Sequence, residues 1–162
     1  MKPLKMFILL GLAAALVTGS CKKFYQPYVP PTTLPPATQE GKHTFGFDLN
    51  GAVWLPHFDN FLVNSLTLMT NQISAVRGDE IFTMDLGTAT QPGVYNLTDP
   101  GRGASFHQGT VDYTCTQGTC VITRYDTSKG IVSGTFSFKA ASSTGTVVSV
   151  DNGRFDLTVG VN

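Results

Sequence analysis

The segment GIVSGTFSFKA, residues 130–140, alternates between small or apolar side chains and polar ones. One face of an extended chain would present Val132, Gly134, Phe136, Phe138 and Ala140. The other face would present Ser133, Thr135, Ser137 and Lys139. A period of two with one polar face is typical of an antiparallel strand that is buried on one side only. We therefore expect a central strand here, in which the glycine marks a bend or the close approach of another backbone.

Three further segments show the same alternation: HTFGFDL (43–49), EIFTMDL (80–86) and GRFDLTV (153–159). The side chains that would point inward are Phe45, Phe47, Leu49, Phe82, Met84, Leu86, Phe155, Leu157 and Val159. Arg154 and Asp156 would share the outer face of the last segment, where we expect both to be solvated.

Residues that favour tight turns separate these segments: Asn50-Gly51, Arg77-Gly78-Asp79, Gln91-Pro92-Gly93, Asp99-Pro100-Gly101, Gln117-Gly118, Lys129-Gly130, Thr144-Gly145 and Asn152-Gly153. The Asn-Gly pairs are the strongest of these signals, because both central residues of a type I′ turn need positive φ. The pattern predicts an all-β domain of about 9–11 short strands, either an antiparallel β-sandwich or a partly closed β-barrel. Phe58–Asn64 is the best candidate for a short helix.

The chain begins with a basic segment, Met1–Lys5, followed by twelve uncharged residues, Met6–Val17. This run is too short for a transmembrane helix, which needs about 20 apolar residues. A basic start, a short apolar run and small residues are typical of a secretory signal peptide. The next four residues, Thr18-Gly19-Ser20-Cys21, resemble the lipobox of bacterial lipoproteins. The resemblance implies that residues 1–20 are removed and that Cys21 carries the lipid; a cleaved signal peptide with an incidental cysteine is the alternative.

Five of the nine prolines lie between residues 22 and 42. Proline has no amide donor, so this segment favours an extended polyproline conformation over a strand. We interpret residues 21–42 as the lipidated cysteine and its tether, or a disordered leader, and residues 43–162 as one β domain. Surface-exported lipoproteins tend to carry acidic residues just after the lipidated cysteine, and residues 21–26 hold none. The resemblance to lipoproteins therefore implies the periplasmic face of the outer membrane rather than surface export. Lys and Arg number 11, as do Asp and Glu, and no basic stripe points to nucleic acid.

The segments LPPATQEGKHTFGFDLNGAVWLP (34–56), QPGVYNL (91–97), GIVSGTFSFKA (130–140) and VVSVDNGRFDL (147–157) resemble a family of uncharacterised lipoproteins common in Bacteroidota. Its members typically join a lipobox and a short tether to one β domain, and the resemblance covers about residues 34–157. The family has no assigned activity, so no catalytic residue carries over. The cysteine pair at residues 115 and 120 departs from the family pattern.

Cys115 and Cys120 flank the sequence TQGT, residues 116–119. If Gln117-Gly118 forms a two-residue turn, the cysteines face each other at a non-hydrogen-bonded position, where Cα atoms lie about 4.5 Å apart. That separation is at the short end of the disulfide range of about 4.4–6.8 Å, and the periplasm is oxidising. The sequence therefore predicts a Cys115–Cys120 disulfide across a hairpin; the alternative is a metal pair with His107.

No pattern of catalytic or metal-binding residues stands out in the sequence. The motifs G-x-S-x-G and H-E-x-x-H and the phosphate-binding loop are absent, and His43, His57 and His107 have no regular spacing. DNGRFD, residues 151–156, is acidic but lacks the ligand spacing of an EF-hand loop. Trp54 is either a platform for a sugar ring or, as we expect, a core residue, because tryptophan buries a large apolar area.

These observations leave three classes of function. The first, which we favour, is a lipid-anchored, non-catalytic protein with a binding or structural role and no cofactor, held to membrane lipid through Cys21. It would lie in the bacterial cell envelope, at the outer membrane facing the periplasm, with an unknown protein or glycan partner. The second is a carrier of small ligands with a lipocalin-like cavity, although the many inward phenylalanines favour a filled core. The third is a hydrolase, which would need acidic or histidine residues gathered in one cleft.

Overall fold

A computed structural model of the chain describes residues 31–56, 66–69 and 71–158. These segments contain ten strands and no helix, and none of them includes a helix that could cross a membrane. The strands are β1 (Thr44–Leu49), β2 (Ala52–Trp54), β3 (Leu66–Met69), β4 (Gln72–Arg77), β5 (Glu80–Asp85), β6 (Gly93–Asn96), β7 (Gly103–Gln108), β8 (Val111–Asp126), β9 (Ile131–Ser142) and β10 (Val147–Thr158). The predicted all-β class is therefore confirmed. The predicted signal peptide, Cys21, His57 and the helix candidate Phe58–Asn64 lie outside the described residues.

All ten strands belong to one antiparallel sheet with the order β2-β1-β10-β9-β8-β7-β5-β4-β3. β6 pairs with β8 beyond the end of β7, so the 16-residue β8 has two successive partners on one edge. β9 and β10 are 12 residues long and form the centre of the sheet with β8. The number of strands agrees with the prediction, but these three are much longer than the turn signals indicated.

The sheet curls until strands that are distant in its order face each other. The rings of Phe45 in β1 and Phe82 in β5 lie 4.9 Å apart, although four strands separate β1 from β5 in the sheet. The indole Nε1 of Trp54 at the end of β2 donates a hydrogen bond of 2.8 Å to Oε2 of Glu80 at the start of β5. The result is a half-barrel, consistent with the predicted partly closed barrel.

The concave face of the half-barrel is filled with aromatic rings. Phe47 and Trp54 stack with ring centroids 4.7 Å apart, and Phe82 and Phe136 lie 5.2 Å apart. The buried rings of this cluster belong to Phe45, Phe47, Trp54, Phe82, Phe106, Phe136, Phe138 and Phe155. Trp54 is completely buried, so the core interpretation is confirmed and the sugar-platform alternative is wrong.

The inward face predicted for β9 is confirmed. Val132, Phe136, Phe138 and Ala140 are buried, whereas Ser137 and Lys139 are exposed. Gly134 is in close contact with other parts of the chain, because an added Cβ would overlap the carbonyl oxygen of Val121. An L side chain does not fit there, which confirms the close approach expected at this glycine.

The two Asn-Gly signals have different outcomes. Asn50-Gly51 forms the turn between β1 and β2, with φ values of 50° and 83°, as a type I′ turn requires. Asn152-Gly153 is not a turn, because both residues lie inside β10 at a bulge where the register with β9 shifts. Asn152 has a φ of 51°. This bulge places a residue in the left-handed region, as a type I′ turn does, so the dipeptide alone does not distinguish them.

The hairpin predicted at Gln117-Gly118 is also wrong. β8 continues through it, so that Cys115 pairs with Ala140 and Cys120 with Phe136, both on β9. Two positions five residues apart on one strand are separated by roughly 15 Å, far beyond disulfide range. The predicted disulfide is therefore not formed, and both cysteines are free thiols. Pairing with the full length of β9 outweighs the local turn signal.

The two thiols should differ in reactivity. In a Cys21→Ser variant that is denatured without reductant, we expect two reactive thiols. In the native protein Cys115, which is half-buried, should react first. Cys120 should react only as the protein opens, because burial leaves it inaccessible and raises its pKa to about 12. Timed alkylation followed by mass spectrometry measures both rates. If neither thiol reacts after denaturation, Cys115 and Cys120 form a disulfide after all.

The core position of Phe136 gives a prediction about stability. Phe136→Ala should lower the free energy of unfolding by about 3–5 kcal/mol, because it removes a ring that touches several others. Ser137→Ala, one position along the strand and exposed, is the matched control and should change stability little. Urea unfolding measures both, and equal effects would mean that the inward face of β9 is assigned incorrectly.

Candidate functional site

The convex face of the sheet carries an unexpected buried carboxylate, that of Asp156 in β10. The side chain points outward, as its sequence position predicts, but it is only 1% exposed rather than solvated. It is covered by residues 34–42, which cross the outer face of the sheet and which we call the strap. Five donors reach its two oxygens: Thr38 Oγ1 (2.6 Å), the backbone amides of Glu40 (3.0 Å), Gly41 (2.8 Å) and Lys42 (3.1 Å), and Ser133 Oγ (2.7 Å).

This hydrogen-bond network determines the ionisation of Asp156. Burial by itself opposes the charged form, but the bonds from Ser133, Thr38 and the strap amides favour it more strongly. The pKa of Asp156 is therefore held well below its ordinary value. The carboxylate is charged at all physiological pH values and binds the strap through charge-assisted hydrogen bonds.

Further contacts attach the strap along its length. The guanidinium groups of Arg124 and Arg154 donate to the carbonyl oxygens of Gln39 and Pro35, respectively. Gly41 has a φ of 73°, and an added Cβ would lie 2.8 Å from Thr158 Oγ1, so both its backbone and its surroundings favour glycine. The compact unit of the structure begins at Pro31. Residues 31–42, which the sequence analysis assigned to the tether, are therefore part of the folded unit.

Beside the strap, the outer face forms an open groove that we call the polar groove. Two adjoining hollows of about 490 and 430 Å³ share three lining residues, Thr119, Ser137 and Asp151. Ala37 of the strap borders the first hollow, and Asn96, at the end of β6, borders the second. The groove lies over the middle of β8, β9 and β10, where these strands are paired across their length.

The side chains of the groove are polar and only partly engaged. Asp151 accepts a hydrogen bond from Ser149 (2.6 Å), and Asn152 donates one to Asp48 (2.8 Å). Within the described residues, three hydroxyl side chains that line the groove make no hydrogen bond: Thr119, Thr135 and Ser137. Thr119 and Ser137 are exposed, and Thr135 is half-buried.

A second polar cluster closes the open side of the half-barrel. Glu80 accepts hydrogen bonds from Trp54 (2.8 Å), Arg77 (2.6 Å) and Gln108 (2.8 Å). Partial burial opposes its ionisation, but the bonds from Arg77 and Trp54 lower its pKa overall. Each of its partners belongs to a different part of the half-barrel, so the cluster holds β2 against β5 and β7.

His107, the histidine considered as a metal partner of the cysteines, lies at this end of the sheet. Its Nδ1 is 2.7 Å from Oδ1 of Asp112 in the neighbouring β8, and this contact raises its pKa. Across the described segments, no three His, Cys, Asp or Glu side chains lie close enough together to hold a metal ion. The alternative of a metal site formed by His107 and the two cysteines therefore has no geometric support there.

The Asp156 network predicts a specific loss of stability. Asp156→Asn places an amide donor against the strap donors and should lower the free energy of unfolding by about 2–4 kcal/mol. Asp151→Asn is the matched control, because Asp151 lies on the same strand but is exposed, and it should cost little. Chemical denaturation of the two variants measures the difference. If they unfold alike, the strap is not held through Asp156.

The same network predicts a dependence on pH. A carboxylate whose folded pKa lies below its unfolded value of about 3.9 stabilises the fold fully above that value. This contribution is lost as the pH falls towards the folded pKa. Between about pH 5 and pH 2, wild-type protein should therefore lose more stability than Asp156→Asn does. Denaturation curves across this range measure the difference, and parallel losses would contradict the assigned role of the carboxylate.

Comparisons with known proteins place the chain in a family. Residues 44–157, which run from the first residue of β1 almost to the end of β10, match the model of a domain of unknown function, DUF6252. Neither the search of curated proteins nor the search of solved structures found a match. The family match covers the curled sheet from end to end and more than half of the chain. The chain therefore belongs to the family defined by the domain of unknown function DUF6252.

Proposed function

We infer that this protein is a lipid-anchored, non-catalytic protein of the bacterial cell envelope, whose β domain binds a partner or has a structural role. The anchor would be membrane lipid attached through Cys21, at the outer membrane facing the periplasm. The lipobox-like segment 18–21 supports this assignment, as do the signal-peptide features before it.

One structural observation supports a binding role on the outside of the domain. The concave face, where a lipocalin-like carrier would hold its ligand, is occupied by aromatic rings in mutual contact. The polar groove lies on the opposite face, and its hydroxyl groups are unengaged among the described residues. A ligand or partner is therefore better accommodated on the outer face than inside the half-barrel.

The gathered titratable side chains fit a structural role better than catalysis. Glu80 is engaged by Trp54, Arg77 and Gln108, and Asp156 is enclosed by the strap. Both carboxylates have lowered pKa values, whereas a general acid needs a raised one. These features favour a non-catalytic domain over the hydrolase alternative.

The strap would connect a lipidated Cys21 to the β domain. Between Cys21 and Pro31, the first residue of the folded unit, lie nine residues, which would reach about 3 nm if extended at about 3 Å per residue. Beyond them the chain is attached to the centre of the sheet through Asp156. Lipidation of Cys21 would therefore hold the domain near the membrane.

The anchor is tested by metabolic labelling in a bacterial host with a fatty-acid analogue. Wild-type protein should incorporate the label and fractionate with membranes, whereas Cys21→Ala should remain as an unlabelled precursor. Cys115→Ala is the matched control, since it removes a thiol of the folded domain and should leave labelling intact. Label retained in Cys21→Ala would exclude lipidation at this residue.

A further inference from the structure

We propose that the polar groove is a binding site for a neutral oligosaccharide. The proposal rests on the binding role inferred above and names the chemical class of the ligand. It follows from three properties of the groove: the kind of hydrogen-bonding groups, their rigid spacing, and the balance of charge.

The free polar groups of the groove are short hydroxyl side chains. Thr119 and Ser137 are directly paired across β8 and β9, and Thr135 lies two positions from Ser137 on the same strand. A hydroxyl group both donates and accepts hydrogen bonds, as does each hydroxyl group of a sugar. Such groups can meet either the donor or the acceptor side of a sugar hydroxyl group, whereas a carboxylate only accepts and an ammonium group only donates.

The backbone gives these hydroxyl groups fixed positions. Neighbouring strands lie about 4.8 Å apart, and alternate residues on one strand lie about 6.6 Å apart. Thr119, Thr135 and Ser137 are therefore arranged as a small grid on the paired centre of the sheet. Threonine is stiff at χ1, so little conformational entropy is lost when a ligand binds.

The charges around the groove favour a neutral ligand. The groove is lined by two cationic side chains, Lys139 and Arg154, and by one carboxylate, Asp151. A second carboxylate, that of Asp48, lies close by because it accepts a hydrogen bond from Asn152. Arg154 already donates to the strap at Pro35, and Asp151 already accepts from Ser149. With two cations and two carboxylates, the groove offers no net attraction to an anionic or a cationic polymer.

The floor and borders of the groove suit a short chain of sugars. Gly118 and Gly153 line the floor without side chains, and Val121 adds an apolar surface for the C–H face of a sugar ring. The strap limits the groove beside Ala37, and Asn96 and Thr98 border it on the side of β6. An oligosaccharide could therefore lie across several strands rather than enter a closed pocket.

The test is a calorimetric titration of the lipidated, detergent-solubilised protein. The probes are neutral hexasaccharides of glucose, mannose and xylose, with an oligogalacturonate and a chitosan oligosaccharide as charged controls. We expect saturable binding of at least one neutral probe and weaker binding of both charged ones. Thr119→Val and Ser137→Ala should each weaken it by about three- to tenfold, the effect of one lost hydrogen bond between neutral groups.

Thr114→Val is the matched control, because Thr114 is exposed on the same strand but does not line the groove. It should leave the affinity unchanged. Absence of binding to all three neutral probes, tighter binding of a charged probe, or an equal effect of Thr114→Val would overturn the proposal. Fatty-acid labelling of Cys21 is independent of the groove, so a failure here is distinguishable from a failure of the proposed lipid anchor.

Discussion

The structure depends on one constraint: a sheet with one apolar face must cover that face by itself. In the described segments, the sheet does so by curling until β1 and β5 meet, which brings the rings of Phe45 and Phe82 to 4.9 Å. The bulges in β8 and β10 add local twist to the long strands and so assist the curl. The hydrogen bond from Trp54 to Glu80 then holds the two sides together. The convex outer face carries the strap and the polar groove.

The parts of this fold that the sequence predicts are those whose cause is local. Strict alternation identifies the inward residues of β1, β5, β9 and β10, because the period of a strand requires no knowledge of its partner. Turn signals are less reliable, since Asn152-Gly153 and Gln117-Gly118 are compatible with a turn, a bulge or a continuous strand. The choice depends on pairing with β9, which no short window of sequence contains.

The candidate sites on the outer face were predicted only in part. Alternation correctly places Ser137 and Asp156 outward, but it does not distinguish an open position from a covered one. Asp156 is buried by a segment that lies more than a hundred residues earlier and has no periodicity of its own. The polar groove likewise depends on the strap at one border and on the end of β6 at another. Both features arise from tertiary structure. The part of the outer face under the strap contributes stability, and the part that forms the polar groove remains accessible.

The attachment of the strap to β10 also bears on the order of events during synthesis. β10 pairs with both β1 and β9. Asp156 in β10 also binds Thr38 of the strap, 118 residues earlier, so the first and last segments of the folded unit hold each other in place. The centre of the sheet lacks a strand until nearly the whole chain has been made. A nascent chain therefore cannot complete its sheet until β10 has left the ribosome, so the whole domain closes in one late step.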